Sequence, residues 1–389
     1  MTHRLGHLVD QVVTVTGDDP LPFVALENIG SRTGNLLPDA ELPVRTPEPT
    51  GMTTFRPGDV LFGKLRPYLA KSWRADRPGL CSTEFIVMRP RPEVDDRWLA
   101  YLAQSDLIVE WAEATSEGVK MPRTSWEKLR LLDIRAPSLA EQDAIADYLD
   151  GETARIDALV AARRSQMDLL KLRLRAAIDD HLDMVPEAWR LKHLLAAPLE
   201  YGASEAADDD DPAWPRYVRT TDIDDDGNLR LETFRSLPPA VAAPFLLRAG
   251  DLLLTRSGAT VGKSILWREE WGRACFAGYL IRARPDMHRV APEYLAYFVR
   301  SSRYWDEIRL TTIQATIPNV SAERYGDLRV PFPCWDDQLS IVRRLDGVSQ
   351  STRTLGQVMA TQVDALLKRR QTLITAAVTG QLEIPVVAA

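Results

Sequence analysis

The sequence predicts a mixed α/β (α+β) chain of two similar globular domains separated by two long antiparallel helices, with internal pseudo-two-fold symmetry. Three observations predict it. Residue patterns recur about 195 positions apart, the sign of a duplicated unit. Short apolar runs flanked by glycine or proline alternate with stretches of helical spacing. Two long stretches without proline carry an apolar stripe.

The repeat comes first. Pro22-Phe-Val-Ala-Leu-Glu-Asn-Ile29, then Gly34-Asn35-Leu36, returns as Arg216-Tyr-Val-Arg-Thr-Thr-Asp-Ile223, then Gly227-Asn228-Leu229. Phe55-Arg-Pro-Gly-Asp-Val-Leu-Phe62 returns as Leu247-Arg-Ala-Gly-Asp-Leu-Leu-Leu254, and Cys81 is matched by Cys275. Trp98-Leu-Ala-Tyr-Leu102 returns as Tyr294-Leu-Ala-Tyr-Phe298. From there one spacing holds: Met121-Pro122, Ser125, Leu132, Pro137, Gln142, Ile145, Leu149, Asp150 and Gly151 match Ile317-Pro318, Ser321, Leu328, Pro333, Gln338, Ile341, Leu345, Asp346 and Gly347. Four parts follow: globular domains at 1–137 and 184–333, a spacer helix at 138–183, and a second helix with a tail at 334–389.

Asp59-Val-Leu-Phe62, Glu84-Phe-Ile-Val-Met88 and Leu131-Leu-Asp-Ile134 predict strands, as do Asp251-Leu-Leu-Leu-Thr255, Tyr279-Leu-Ile281 and Leu328-Arg-Val330. Residues 95–114 and 292–309 have helical spacing. Ser138-Leu-Ala-Glu141 fits a capping box, in which the serine and the glutamate satisfy each other's free N–H. Ile145, Leu149, Ile156, Leu159, Met167, Leu170, Leu174 and Ile178 then form a three-four stripe. Ile341, Leu345, Val348, Leu355, Met359, Leu366 and Leu373 form its counterpart. Each helix is expected to run about 40 residues, or roughly 60 Å. A one-sided stripe must be buried, and the other helix is the simplest partner.

Apolar residues make up 45% of the chain and charged residues 26%, which fits an ordinary globular protein. No apolar run approaches the roughly 20 residues of a membrane span, so no membrane partner is expected. Met1-Thr-His-Arg-Leu-Gly6 has no apolar core of a secretory signal. Three cysteines, an odd number, fit a reducing cytoplasm. The net charge of −7 speaks against nucleic acid until its distribution is considered. Glu205, Asp208 to Asp211, Asp222 and Asp224 to Asp226 face only Arg216 and Arg219 between 205 and 226, which accounts for all of it. Residues 51–91 and 248–289 are basic, and phosphate binding needs a local positive field only.

No catalytic or cofactor motif emerges. Ser257-Gly-Ala-Thr-Val-Gly-Lys-Ser264 resembles a phosphate loop, but Ser257 stands where the first glycine must be. A glycine-rich turn between Arg256 and Lys263 suits a DNA phosphate better, through backbone N–H groups and cations. The five histidines and three cysteines lack metal-ligand spacing. Cys81 and Cys275 are expected in the core.

Several stretches resemble the specificity subunits of type I restriction–modification systems. Gly58-Asp-Val-Leu-Phe-Gly-Lys-Leu-Arg-Pro-Tyr-Leu-Ala-Lys71 and Gly250-Asp-Leu-Leu-Leu-Thr-Arg-Ser-Gly-Ala-Thr-Val-Gly-Lys263 are similar to segments of that family's target-recognition domains. Pro137-Ser-Leu-Ala-Glu-Gln142 resembles the start of its central helix, with Cys334-Trp-Asp-Asp-Gln338 as a divergent second copy. The resemblance covers essentially the whole chain. It implies a non-catalytic subunit in which each globular domain reads half of a bipartite site in double-stranded DNA. The helices would set the gap and dock two methyltransferase subunits, and motor–nuclease subunits would join for restriction. It places S-adenosylmethionine, ATP and Mg2+ on those partners and no cofactor on this chain.

Candidate DNA contacts fall in three segments of each domain. The first holds Lys64, Arg66, Tyr68 and Lys71, matched by Arg256, Ser257, Thr260 and Lys263. The second holds Lys120 and Arg123, matched by Gln314, Thr316 and Asn319. The third is an early loop with Asn28, Ser31 and Arg32, matched by Thr221 and Asn228. Arginine and lysine suit guanine or phosphate, and asparagine and glutamine suit adenine. The acidic run 205–211 is expected to face away from a duplex. A scaffold that binds only protein partners is the alternative, which the net charge slightly favours. A nucleotide-using enzyme built on Gly258 to Ser264 is a weaker one.

Overall fold

A computed structural model describes residues 2–48, 50–312 and 318–384. The chain divides into two compact units: Met1–Arg164 with Met359–Ala389, and Ser165–Val358.

In the first unit the run Val60-Leu-Phe62 is apolar throughout because both of its faces are covered. Val60 and Phe62 enter a core shared with Trp98, Leu102, Leu149 and Ile374. Leu61 points the other way, to Trp73, Phe85 and Val87. Val60–Gly63 is an inner strand of an antiparallel sheet, ordered Val9–Val12, Phe85–Pro90, Val60–Gly63, Ser72–Arg74. A second sheet contains one parallel pair, in which Val24 lies opposite Cys81. Thr2–Arg4 pairs with Asp133–Arg135 and so joins the two ends of the globular part.

The second unit repeats this plan. Leu252 and Leu254 face a core with Tyr294, Leu295 and Leu345, while Leu253 faces Trp267 and Phe276. Its sheet runs Glu200–Tyr201, Leu280–Ala283, Leu252–Thr255, Ser264–Leu266. Its parallel pair sets Tyr217 opposite Cys275, and Ala188–Arg190 pairs with Arg329–Pro331. Both repeat cysteines are fully buried, as their apolar surroundings predict.

Each expected helix near residues 95–114 and 292–309 is two helices. Asp96–Gln104 gives way to Asp106–Ala114, and Pro292–Phe298 to Ser302–Thr312. A buried serine marks each break. The Ser105 hydroxyl donates to the Leu102 carbonyl at 2.6 Å, and that of Ser301 to the Phe298 carbonyl at 2.7 Å. A hydroxyl that satisfies the last carbonyls ends a turn locally, whatever the apolar spacing around it.

The long helices are Leu139–Asp183 and Trp335–Val378. The capping box is present: the Ser138 amide donates to Glu141 Oε2 at 2.8 Å, and the Glu141 amide to Ser138 Oγ at 3.4 Å. At the second helix the Cys334 thiol donates to Asp337 at 3.1 Å instead. The glutamine retained in both copies has one task. Gln142 accepts from the Asp95 amide and donates to the Glu93 and Pro137 carbonyls. Gln338 does the same with Ala291, Arg289 and Pro333. Each buried amide thus ties a helix start to the globular part.

In the first unit Ile156 and Val160 pack with Val363, and Asp157 pairs with Arg370 at 3.0 Å. Numbers rise along one helix as they fall along the other, so the pairing is antiparallel. In the second unit Leu174 and Ile178 share a core with Val342 and Leu345. The stripe is one residue off in one place. Leu159 is 46% exposed, and its neighbour Val160 is buried. Thr153, buried against Tyr101, continues the three-four series Leu149, Thr153, Ile156, Val160, and its polar type conceals it in the sequence.

Candidate nucleic-acid interface

The loop that leaves strand Val60–Gly63 is fastened at both sides. The Lys64 amide donates to the Glu84 carbonyl at 2.7 Å and the Thr124 amide to the Lys64 carbonyl at 3.0 Å. The Arg66 amide donates to the Pro122 carbonyl at 2.7 Å. The first and second candidate segments therefore lie side by side, with Leu65 bridged to Arg123. The second unit forms the same clamp. Arg256 bonds to Tyr279, Val320 to Arg256 and Gly258 to Pro318, with Ser257 bridged to Asn319.

The early loop joins them. The Arg32 amide donates to the Leu69 carbonyl, and Lys71 donates to the Leu26 carbonyl at 2.7 Å. In the second unit Lys263 pairs with Asp225. Asn28 is occupied with its own turn, accepting from the Ala25 amide at 2.7 Å. Asp222 caps the matching turn from Arg219 at 2.8 Å, while Asn228 bonds to Asp224. Ser31 and Thr221 are exposed.

The backbone explains the glycines of the second copy. Arg32, Arg66 and Ala70 are the non-glycine residues with positive φ among the described residues, at 57°, 50° and 45°. Gly258 and Gly262, with φ of 82° and 85°, occupy the places of Arg66 and Ala70. The phosphate-loop look-alike is thus a left-handed turn that glycine adopts without strain. The amides of Gly258, Val261, Gly262 and Lys263 all donate to carbonyls within the unit. Those four amides are not available to a phosphate.

The side chains differ in how free they are. Arg66, Tyr68 and Lys120 are exposed, and Lys120 caps a small hairpin closed by the Glu117 and Arg123 backbones. Lys64 donates to the Thr83 carbonyl at 2.7 Å, and burial lowers its pKa against the opposing pull of Glu84. Arg123 donates to Glu84 at 2.8 Å. The Arg256 guanidinium lies 4.8 Å from the centre of the Tyr201 ring, a cation–π stack. Ser257 and Thr260 are half-buried, and Asn319 is exposed. Gln314 and Thr316 lie outside the described residues. Glu84, Tyr201 and Tyr279 were not singled out in the sequence. The repeat pairs Glu84 with Tyr279 as the residues that open matching strands, and that was their one signal.

The acidic stretch divides. Asp208 to Asp211 are exposed, with Asp210 at 3.7 Å from Arg235. Asp222 is buried and paired with Arg219. Asp224 accepts from the amides of Asp226 and Asn228, fixing a turn. Among the described residues no group of three His, Cys, Asp or Glu side chains could hold a metal ion, and no helix is long and apolar enough to cross a membrane.

No family model matches the chain. The curated proteins that it resembles are type I restriction enzyme specificity subunits. It is 31% identical over 132 residues to the StySPI subunit of Salmonella potsdam, over 32% of this chain and 27% of that protein. It is 22% identical over 403 residues to the EcoKI subunit of Escherichia coli strain K12, over 96% of this chain and 85% of that protein. A solved chain from a study of the assembly and conformational transition of a type I restriction–modification system has the same fold, with a TM-score of 0.73 at 20% identity over 98% of both chains.

Proposed function

We propose that the chain is a specificity subunit of a type I restriction–modification system and that it reads a bipartite sequence in double-stranded DNA. The domains at 1–137 and 184–333 each read one half-site, and the helices at 138–183 and from 334 set the gap. The clamp carries this reading: in each unit it gathers two candidate segments, rich in cationic and amide side chains, beside one strand end. On this reading Lys64, Arg66, Tyr68, Lys120, Arg123, Arg256 and Asn319 make the base or phosphate contacts. Lys71, Ser257, Thr260 and Lys263 hold the loop and add positive field.

The helices also dock two methyltransferase subunits, with motor–nuclease subunits completing a restricting assembly. The partners supply methyl transfer from S-adenosylmethionine and ATP- and Mg2+-dependent cleavage, and this chain supplies the address. The test is retention of duplex DNA by the chain co-expressed with a methyltransferase partner. One bipartite sequence should be retained above all others. Retention indifferent to sequence would defeat the proposal.

A further inference from the structure

Three backbone positions coincide in the two units while their side chains differ. In the first unit they carry Lys64, Glu84 and Arg123, joined by Lys64 N–H to Glu84 C=O at 2.7 Å and by the Leu65–Arg123 bridge. In the second they carry Arg256, Tyr279 and Asn319, joined by Arg256 N–H to Tyr279 C=O at 3.0 Å and by the Ser257–Asn319 bridge. The hydrogen bonds that the two sites share come from the main chain, so they survive a change of side chain. Buried structural positions behave differently: Asp59 and Asp251, or Gln142 and Gln338, are the same residue in both copies.

The chemistry at these positions suits base edges. A guanidinium fits guanine O6 and N7, a carboxylate accepts from cytosine N4, and an amide pairs with adenine N6 and N7. The free chain leaves part of this capacity unused. Glu84 Oε2 and Arg256 Nε are buried without a hydrogen-bond partner. Buried charged groups seldom remain so in a finished structure, and each such case calls for an explanation. Tyr279 is 66% exposed, an open aromatic face on a strand end.

We propose that these three positions are the specificity-determining reader of each unit: Lys64, Glu84 and Arg123 in one, Arg256, Tyr279 and Asn319 in the other. The two half-sites differ because these side chains differ. The assignment rests on the DNA-reading function proposed above and names where the reading is done.

The experiment uses the full chain with its methyltransferase partner and a duplex pool randomised over about two helical turns. The wild type should select a bipartite motif. The exchange Lys64→Arg with Glu84→Tyr and Arg123→Asn should alter one half of that motif and leave the other half and the gap unchanged. Tyr279→Ala and Asn319→Ala, both at exposed positions, should each relax base preference in the other half by on the order of tenfold. These two variants decide the matter if the triple exchange fails to fold by thermal melting. An unaltered motif from the folded variants would overturn the assignment with the DNA-reading function intact. A wild type that selects no motif would instead refute that function, and the assignment with it.

Discussion

Asp59 receives the Arg89 guanidinium on both carboxylate oxygens, at 2.8 and 2.6 Å, and also accepts from the Arg56 amide at 2.9 Å. Asp251 treats Arg284 and the Arg248 amide in the same way. The aspartate of the repeated Gly-Asp pair is therefore a buttress. It closes the turn ahead of the inner strand and anchors the strand beside it. Each carboxylate is about 1% exposed, whereas the arginines keep 30% and 21% of their side-chain surface. That asymmetry sets the outcome of mutation. Arg89→Ala leaves a buried carboxylate with only the long contact to the exposed Arg56 guanidinium at 3.9 Å, and should cost on the order of 3–5 kcal/mol. Asp59→Asn keeps the turn acceptor and leaves a half-exposed cation that water can reach, so it should cost about 1–3 kcal/mol. Urea unfolding of the two variants checks the order, and equal losses would contradict it.

The two-fold plan was legible because duplication repeats spacing, which survives where identity does not. Strand cores such as Val60-Leu-Phe62 were legible from apolar character alone. The helix breaks at Ser105 and Ser301 were not, because a single hydroxyl overrides an unbroken apolar period. The candidate segments were chosen by residue type, and their association comes from main-chain bonds that no side chain advertises. For the same reason Glu84 and Tyr279 passed as ordinary strand residues. In the Gly258–Gly262 turn the two glycines answer a demand of φ, and the amides of Gly258, Val261 and Gly262 are engaged within the unit.

The helix stripe gives a sharp contrast between neighbours. Val160 is 5% exposed and packs with Ile156 and Val363, while Leu159 is 46% exposed. Val160→Asp places a charge in that seam and should lower stability by about 3 kcal/mol or more. Leu159→Asp should change it by about 0.5 kcal/mol. Denaturant titration followed by helical circular dichroism distinguishes them. Comparable losses at both positions would mean that the buried face has been misplaced.

The thiols should separate by reactivity. Burial pushes Cys81 and Cys275 up to about 12, so at pH 8 almost none of either is thiolate. Cys334 is exposed at a helix start. The native chain should therefore release one equivalent in a thiol titration at pH 8 and three after denaturation. As pH rises through the folded-state values near 12, the buried pair should lose its protection. Two or three fast equivalents from the native chain at pH 8 would show that the parallel strand pairs open readily.

Arg66 allows strain and contact to be separated. It holds φ at 50° where the second unit has Gly258, and its side chain is exposed with no polar partner among the described residues. A left-handed conformation costs a non-glycine residue about 1–2 kcal/mol. Glycine removes that cost and adds about 0.5–1 kcal/mol of unfolded-state entropy. Arg66→Gly should therefore leave stability unchanged or raise it by up to about 1.5 kcal/mol, while Arg66→Ala keeps the strain and gains nothing. On DNA the two variants should behave alike, because both remove the cation. One lost phosphate contact reduces the slope of log K against log salt by about 1. A salt slope for Arg66→Gly equal to that of the wild type would remove Arg66 from the interface and leave its φ without a functional reason.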